Sequence, residues 1–304
     1  MRRAATVVEL DIAAAQRAIV SDGVDLMGQP HNDVGNSARI IVDQGADLRY
    51  VHSYKNWSVF DGTRWTGDKS DQATRRAKHT MQRFAIQAAT AGDKEAIRFA
   101  GRSLDLRSIR AALALCQCEI YVAVEELDAK PDLLNFKNGT VNLRTSKLSP
   151  HSREDLITKV IHYDYQPEAQ CPQFLAFLER IMGGGPGATD AQRARAAERI
   201  RYLQIAFGYS TTGHVSEKVV FVLIGGGNNG KTLLLTTITS CIAEYVGQIQ
   251  VSSLMTREEN NNTQSDLADL CGVRLAQTSE TENGERLAQA KLKLSLIHIS
   301  EPTR

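Results

Sequence analysis

The stretch VVFVLIGGGNNGKT, residues 219–232, constrains the fold of this chain more than any other. Its apolar run, 219–224, leads directly into a glycine-rich turn that matches the pattern G-x-x-x-x-G-K-[ST]. The run predicts a buried parallel strand, and the following TLLLTTITSCIAEY predicts a helix. Glycines let backbone N–H groups curl around a phosphate, and the positive end of the helix dipole faces the same anion. The stretch therefore predicts a strand, a phosphate-binding turn and a helix.

The positions of this pattern predict ATP and Mg²⁺ as cofactors. Lys231 is expected to act catalytically by reaching the β- and γ-phosphates, and the hydroxyl of Thr232 is expected to bind Mg²⁺. The predicted nucleotide contacts are Gly225, Gly226, Gly227, Asn228, Asn229, Gly230, Lys231 and Thr232. The alternative is a glycine-rich turn that binds nothing, and the strand and helix context argues against it.

Two glutamates downstream complete the predicted site. Residues 272–279, GVRLAQTS, predict a second strand that ends at Glu280-Thr281-Glu282. In P-loop NTPases a carboxylate at the end of a neighbouring strand holds Mg²⁺, and a second carboxylate can polarise the attacking water. We predict Glu280 and Glu282 as catalytic acids and Glu280 as a metal ligand, although the sequence does not assign the two roles. A pair of solvated loop glutamates is the alternative. The interval after Lys231 leaves room for the helix and one intervening strand.

Charge is nearly balanced over the chain, with 36 basic and 35 acidic residues, so a nucleic-acid contact requires a local patch. From Arg64 to Arg110 there are eleven Lys and Arg residues against five Asp and Glu residues. This surplus predicts either a guide for a DNA backbone or a solvated helical face. Trp57 and Trp65 suggest a base-stacking platform or, preferably, a cross-strand packing pair. The five cysteines lack paired metal-ligand spacing, and no apolar stretch is long enough to span a bilayer.

Helices and strands are predicted to alternate irregularly along the rest of the chain. Helices are expected over 1–27, 35–42 (capped by Asn32 or Asp33), 70–126, 172–182 and 190–207. Hairpins are expected over 50–65, turning at Asp61-Gly62, and around Asn138-Gly139 within 133–148, with one more strand over 155–165. A short helix is expected around 265–270. Residues 166–168 mark a domain boundary.

These motifs together resemble the superfamily-3 helicase domain of phage and plasmid primase–helicase proteins. The resemblance is carried by GGGNNGKT and GVRLAQTSETENGERL, and upstream by NDVGNSARIIVDQGADLRYV, the hairpin around WSVFDGTRW, LLNFKNGTVNLRT, HSREDLITKV and FGYSTTG. It implies an α/β fold with an AAA+-like P-loop NTPase core, preceded by a helical subdomain and an α+β N-terminal domain. It also implies a cytoplasmic DNA helicase of a phage or plasmid in a bacterial host. The enzyme would be a homo-hexamer that hydrolyses ATP, translocates on single-stranded DNA, unwinds an origin or fork and works with a primase.

The resemblance predicts the domain organisation of the chain. Residues 1–31 are a leader helix, 32–167 the domain that precedes the helicase, and 168–293 a helicase domain that is truncated. The family continues after a lysine, here Lys293, with Leu-Thr-Gly-Gly-Asp, a sensor Asn and an arginine finger, whereas this chain continues LSLIHISEPTR. Those residues, 294–304, back-translate into a transposase adapter used in sequencing libraries, and we interpret them as an artefact.

We therefore expect the parent protein to be an ATPase and DNA helicase, and the 304-residue chain to bind ATP weakly, hydrolyse it poorly and not unwind DNA. No primase catalytic motif precedes residue 32, so priming activity is not indicated. Two other classes stay open. One is a non-catalytic DNA-binding or assembly module of a replication initiator, built on residues 32–165. The other is a different P-loop kinase or NTPase.

Overall fold

The computed structural model describes residues 23–217, 219–248 and 271–278. Within them the chain forms a mixture of helices and small sheets, distributed over two compact units. Unit 1 consists of residues 23–61 and 66–124. Unit 2 consists of residues 62–65 and the described residues from 125 onward.

Helices make up most of unit 1, and two of them begin at side-chain caps. Their bounds are α1 (Asp33–Gln44), α2 (Gln72–Ala91), α3 (Lys94–Ser103) and α4 (Leu106–Glu119). The Asn32 side chain accepts the Gly35 N–H at 2.8 Å, which confirms the predicted cap of α1. The Asp93 side chain likewise accepts two N–H groups of the first turn of α3. The predicted helical region 70–126 is confirmed over residues 72–119 as α2, α3 and α4, but it is wrong at Tyr121, which forms a β-bridge with Tyr50.

A small sheet follows α1 along the chain. Its strands β1 (Leu48–Val51), β2 (Asn56–Phe60) and β3 (Trp65–Gly67) lie in that order. Tyr50 lies opposite Trp57 in the antiparallel β1–β2 ladder, and the two rings meet edge-on with centroids 5.1 Å apart. The predicted cross-strand aromatic pair thus exists for Trp57, but Tyr50 is its partner. The predicted two-residue turn at Asp61-Gly62 is wrong, because the connection from β2 to β3 spans residues 61–64.

The core of unit 1 contains a buried cation. Arg39 is fully buried, and its guanidinium lies 3.9 Å from the centre of the Phe84 ring. It donates to the carbonyl oxygens of Leu26 at 2.8 Å and of Gln29 at 2.6 Å. Residues 23–26 are consequently not helical, since the Leu26 carbonyl bonds to Arg39 instead of a helical N–H. The predicted helix over 1–27 is wrong in this described part.

Unit 2 combines antiparallel strands, helices and a parallel strand pair. The strands β4 (Leu133–Phe136), β5 (Gly139–Asn142) and β6 (Lys147–Ser149) form one antiparallel sheet, which confirms the predicted hairpin. The helices are α5 (Pro172–Ile181), α6 (Asp190–Thr211) and α7 (Lys231–Ile242). The strands β7 (Val246–Gln248) and β8 (Leu275–Gln277) pair in parallel. Its core includes Leu134, Phe136, Val141, Ile161, Ile242 and Tyr245.

Two predicted strands of unit 2 do not form. Residues 219–224 have no strand partner among the described residues, and Ile224 is 89% exposed. A parallel strand is stabilised by neighbours that take up its backbone hydrogen bonds, and none of the described strands lies beside this run. Residues 155–165 form no strand, and Leu156 near the start of the run has a left-handed backbone with φ of 49°. Only a single bridge between Phe136 and Ile161 is described there.

Several predictions are not tested by the described residues. The leader helix over 1–22, the short helix around 265–270, Lys293 and residues 294–304 lie outside the described residues. The domain boundaries at 31–32, 167–168 and 293–294 stay predictions, as does the AAA+-like core. No helix in the described ranges is both long and apolar enough to cross a bilayer.

Candidate nucleotide-binding site

The glycine-rich turn is held in shape by two left-handed residues and two close approaches. Asn228 has φ of 55° and Gly230 has φ of 85°. A Cβ at Gly230 would lie 2.9 Å from Cγ2 of Ile181 on α5, so both the backbone and the packing require glycine there. A Cβ at Gly225 would lie 2.3 Å from Nδ2 of Asn229. The turn is therefore a tightly folded loop over residues 225–230 that leads into α7.

Lys231 is the first residue of α7, and its ammonium group folds back onto the turn. Nζ donates to the carbonyl oxygens of Gly225 at 2.9 Å and Gly226 at 3.0 Å, and to Oδ1 of Asn229 at 2.9 Å. These three acceptors use all three protons of the ammonium group. The turn thus brings Lys231 together with three of the predicted nucleotide contacts.

The N-terminus of α7 is open to an anion. Its N-cap is Gly230, which has no side chain, and no side-chain hydrogen bond caps the first turn. The first turn also contains no acidic residue. The first N–H groups of a helix have no partner within the helix and carry partial positive charge. Thr232 lies exposed in this turn, where its hydroxyl is available to a ligand.

The parallel strands β7 and β8 precede the two glutamates of the predicted site. The predicted intervening strand after α7 is present as β7, and the predicted strand over 272–279 is present in shortened form as β8. Gln248 pairs with Gln277, so both strands end at the same edge. Glu280 and Glu282 follow this edge in sequence but lie outside the described residues. Their roles as metal ligand and catalytic acids stay predictions.

Glu244, just past the end of α7, anchors the helix and was not anticipated from sequence. It pairs with Arg64, accepts the Val160 N–H at 3.2 Å, and contacts Nε2 of His162 at 2.8 Å. Burial opposes ionisation, but the bond from His162 and the contributions of Val160 and Arg64 keep the pKa of Glu244 below its usual value. The carboxylate is therefore ionised at neutral pH and ties α7 to two distant segments.

Tyr245 and Arg274 anchor the starts of β7 and β8. The Tyr245 hydroxyl accepts the backbone N–H of Asn135 at 3.1 Å, and burial raises the pKa of this phenol. The guanidinium of Arg274 donates to the carbonyl oxygens of Lys130 and Leu133, each at 3.2 Å. No local sequence signal predicts these contacts, because each joins residues more than a hundred positions apart.

Apart from the predicted Thr232 and Glu280, the described residues do not form a candidate metal site. No group of three or more His, Cys, Asp or Glu side chains among them could hold a metal ion. All five cysteines are free, and burial raises the pKa of Cys116 to about 11. That thiol is protonated and unreactive at neutral pH.

Part of the chain is similar to known proteins. Residues 38–183 match the family model described as "D5 N terminal like", which is just under half of the 304 residues. The chain is also 28% identical, over 177 residues, to the protein described as "Putative primase C962R" from African swine fever virus isolates of Tick/Malawi and Warthog/Namibia. That similarity covers 56% of this chain and 17% of the viral protein.

The family match ends at residue 183, and the glycine-rich turn begins at Gly225. The match therefore runs from the middle of α1 to the end of α5 and includes the first two sheets. It does not cover α7, β7 or β8. Residues 38–183 are thus the part of the chain that is similar to the D5 N terminal like family.

Proposed function

We propose that this chain is part of an ATP-dependent DNA helicase of phage or plasmid replication, acting in the cytosol of a bacterial host. ATP and Mg²⁺ bind at the turn over residues 225–232, and the full-length protein assembles as a hexamer around single-stranded DNA. The observation that carries the proposal is Lys231, which begins an uncapped helix and closes on the glycine-rich turn. The D5 N terminal like domain supports a role in replication.

Nucleotide binding would change the hydrogen-bond acceptors of the Lys231 ammonium group. Phosphate oxygens would replace the carbonyl oxygens of Gly225 and Gly226 as acceptors of the Nζ protons. The uncapped N–H groups of α7 would bind the same phosphates, and the exposed Thr232 hydroxyl would bind Mg²⁺. In parallel α/β sheets ligands bind beyond the carboxyl ends of the strands, and Glu280 follows such an end. Glu280 and Glu282 would hold the metal and activate water.

Titration of the 304-residue chain with a fluorescent ATP analogue and Mg²⁺ tests the proposal. Lys231→Ala should weaken binding about tenfold or more, because a charge-assisted bond to phosphate is worth roughly 1.5–3 kcal/mol. Lys147→Ala, which removes an exposed lysine of β6, is the matched control and should leave the affinity unchanged. Equal affinities of the wild-type chain and Lys231→Ala would contradict the proposal. Hydrolysis by this chain should be slow, because an arginine acting from a neighbouring subunit is worth ~10³–10⁵ in rate.

A second candidate function is a non-catalytic DNA-binding or assembly module. The observation that favours it is the family match, which ends before the glycine-rich turn. Under this hypothesis Lys231→Ala leaves DNA binding intact, and a chain without residues 168–304 retains DNA affinity. A third possibility, a small-molecule kinase, predicts thermal stabilisation by nucleosides and none by single-stranded DNA.

A further inference from the structure

Among the residues that the structure describes, ion pairs engage three of the eleven basic residues between Arg64 and Arg110. Arg64 pairs with Glu244, Arg76 with Asp47, and Arg83 with Asp43. The Arg83 side chain is only 4% exposed. These three side chains stabilise the fold and are not offered to a partner. The surplus of positive charge that the sequence suggests is therefore carried by the remaining eight residues.

Three of the remaining residues form a row along α3. Lys94, Arg98 and Arg102 follow one another at intervals of four, and all three are exposed. The opposite side of the helix is buried in the core through Ala96, Phe99, Ala100 and Ser103. Four residues of a helix rise by about 6 Å, so neighbouring positions along the row are close to the axial spacing of alternate phosphates on one DNA strand, about 6.8 Å.

The row continues into α4. Arg107 and Arg110 lie one turn apart near the start of that helix, and both are exposed. We call the set of Lys94, Arg98, Arg102, Arg107 and Arg110 the α3–α4 basic surface. Among the residues that the structure describes, no member has an ion-pair partner, and Arg102 contacts the Phe99 ring at 5.9 Å. Between residues 94 and 110 only Glu95 and Asp105 are acidic.

The unpaired cations fit a polyanion with regularly spaced phosphates. Four of the five are arginines, whose planar guanidinium groups bind phosphate oxygens in pairs. An amphipathic helix that binds a membrane inserts its apolar side, but Ala96, Phe99 and Ala100 of α3 are buried in the core, and Ile97 is the one large apolar side chain that this helix exposes. Nucleic acid is therefore favoured over an anionic lipid surface.

We propose that the α3–α4 basic surface binds the phosphate backbone of nucleic acid without reading base sequence. The proposal deepens the function proposed above, because it locates a DNA contact of that protein in unit 1. It requires no nucleotide at Lys231. Unit 1 would thus bind the DNA strand through electrostatic contacts, and these contacts weaken as the salt concentration rises.

Fluorescence anisotropy with a labelled single-stranded dT oligonucleotide tests this surface. The full 304-residue chain is titrated without ATP at 50 to 200 mM NaCl. Each phosphate contact on a single strand contributes about 0.7 to the slope of log affinity against log salt. Arg98→Gln/Arg102→Gln should therefore lower the slope by about 1.4. Over this fourfold range of salt, the wild-type affinity should fall about sevenfold more than that of the variant.

The matched control removes two exposed cations from α2 by the same change, Arg75→Gln/Lys78→Gln. This control variant should change the salt slope by less than half of the change caused by Arg98→Gln/Arg102→Gln. Equal effects of the two variants, or no change with the α3 variant, would overturn the proposal. So would an α3 variant that loses binding to phosphatidylserine vesicles and keeps full affinity for the oligonucleotide. Lys231→Ala should leave the slope unchanged, which separates this test from that of the nucleotide site.

Discussion

Asp43 and Arg83 form the most deeply buried ion pair of unit 1 among the described residues. Their side chains are 0% and 4% exposed, and the Thr80 hydroxyl donates to Oδ2 of Asp43 at 2.6 Å. A buried cation that loses its carboxylate partner is left without compensation for its desolvation. Removing one partner of this pair therefore destabilises the fold, because the other charge stays buried without a counter-charge.

Replacement of Asp43 by Asn should lower the free energy of unfolding by about 3 kcal/mol, the cost of an uncompensated buried charge. Urea unfolding followed by circular dichroism measures this change. Asp155→Asn is the control, because its partner Lys130 has a side chain that is 48% exposed and such pairs are worth about 1 kcal/mol or less. Similar losses for both variants would contradict the role of burial.

Sequence spacing at the residue scale predicted the turn and the helix after it but not the contacts of the glycine-rich turn. The pattern predicted Gly230 as glycine for backbone freedom, and its φ of 85° agrees. The close approach of Ile181 from α5 is a second reason that only the folded chain reveals. Likewise, no rule of spacing distinguishes Arg83, which is buried against Asp43, from the exposed Arg98.

At the scale of elements, α2 shows how a helix can be capped from outside its formal start. Asp71 is the N-cap by position, but its side chain makes no capping bond. The Asp68 carboxylate instead accepts N–H bonds from Gln72 at 2.9 Å and Ala73 at 2.8 Å. Burial opposes ionisation, yet these N–H groups and nearby Arg75 keep the pKa of Asp68 below its usual value.

Asp68→Asn should cost about 1 kcal/mol of unfolding free energy at pH 7, because one acceptor oxygen and the charge at the helix start are lost. The stabilisation is present above the unfolded pKa of Asp, ~3.9, and is lost as pH falls through the lower folded pKa. The difference between variant and wild type, measured by urea unfolding, should therefore shrink towards pH 3. Asp71→Asn should have little effect at either pH. A loss with Asp68→Asn that does not depend on pH would contradict this assignment.

On the scale of the whole molecule, unit 2 is assembled from segments far apart in the chain. Its core joins Leu134 and Phe136 of β4 to Ile242 and Tyr245 at the end of α7. The matched family segment ends at residue 183, so part of its own core is supplied by residues beyond the match. We infer that residues 38–183 and the segment from α7 to Tyr245 depend on each other for stability.

A chain that ends at residue 230 should lose amide protection in β4 and β5, because Leu134 and Phe136 then lack their partners from α7 and Tyr245. Hydrogen exchange with mass spectrometry measures this loss. Amides of α2 in unit 1 should keep their protection and serve as the internal control. Unchanged protection of β4 and β5 in the shortened chain would show that their core is independent of α7.

Local sequence determined the elements whose stabilising contacts lie within a few residues. The Asn32 cap of α1, the hairpin around Asn138-Gly139 and the helix that follows Gly230 all depend on such short-range geometry. Tertiary structure decided which segments pair. Residues 219–224 are as apolar as a buried strand, but they stay exposed because no described strand lies beside them. Strand formation and the contact of Tyr245 with Asn135 depend on partners that the fold brings together. A local sequence pattern does not predict such partners, because they lie far away along the chain.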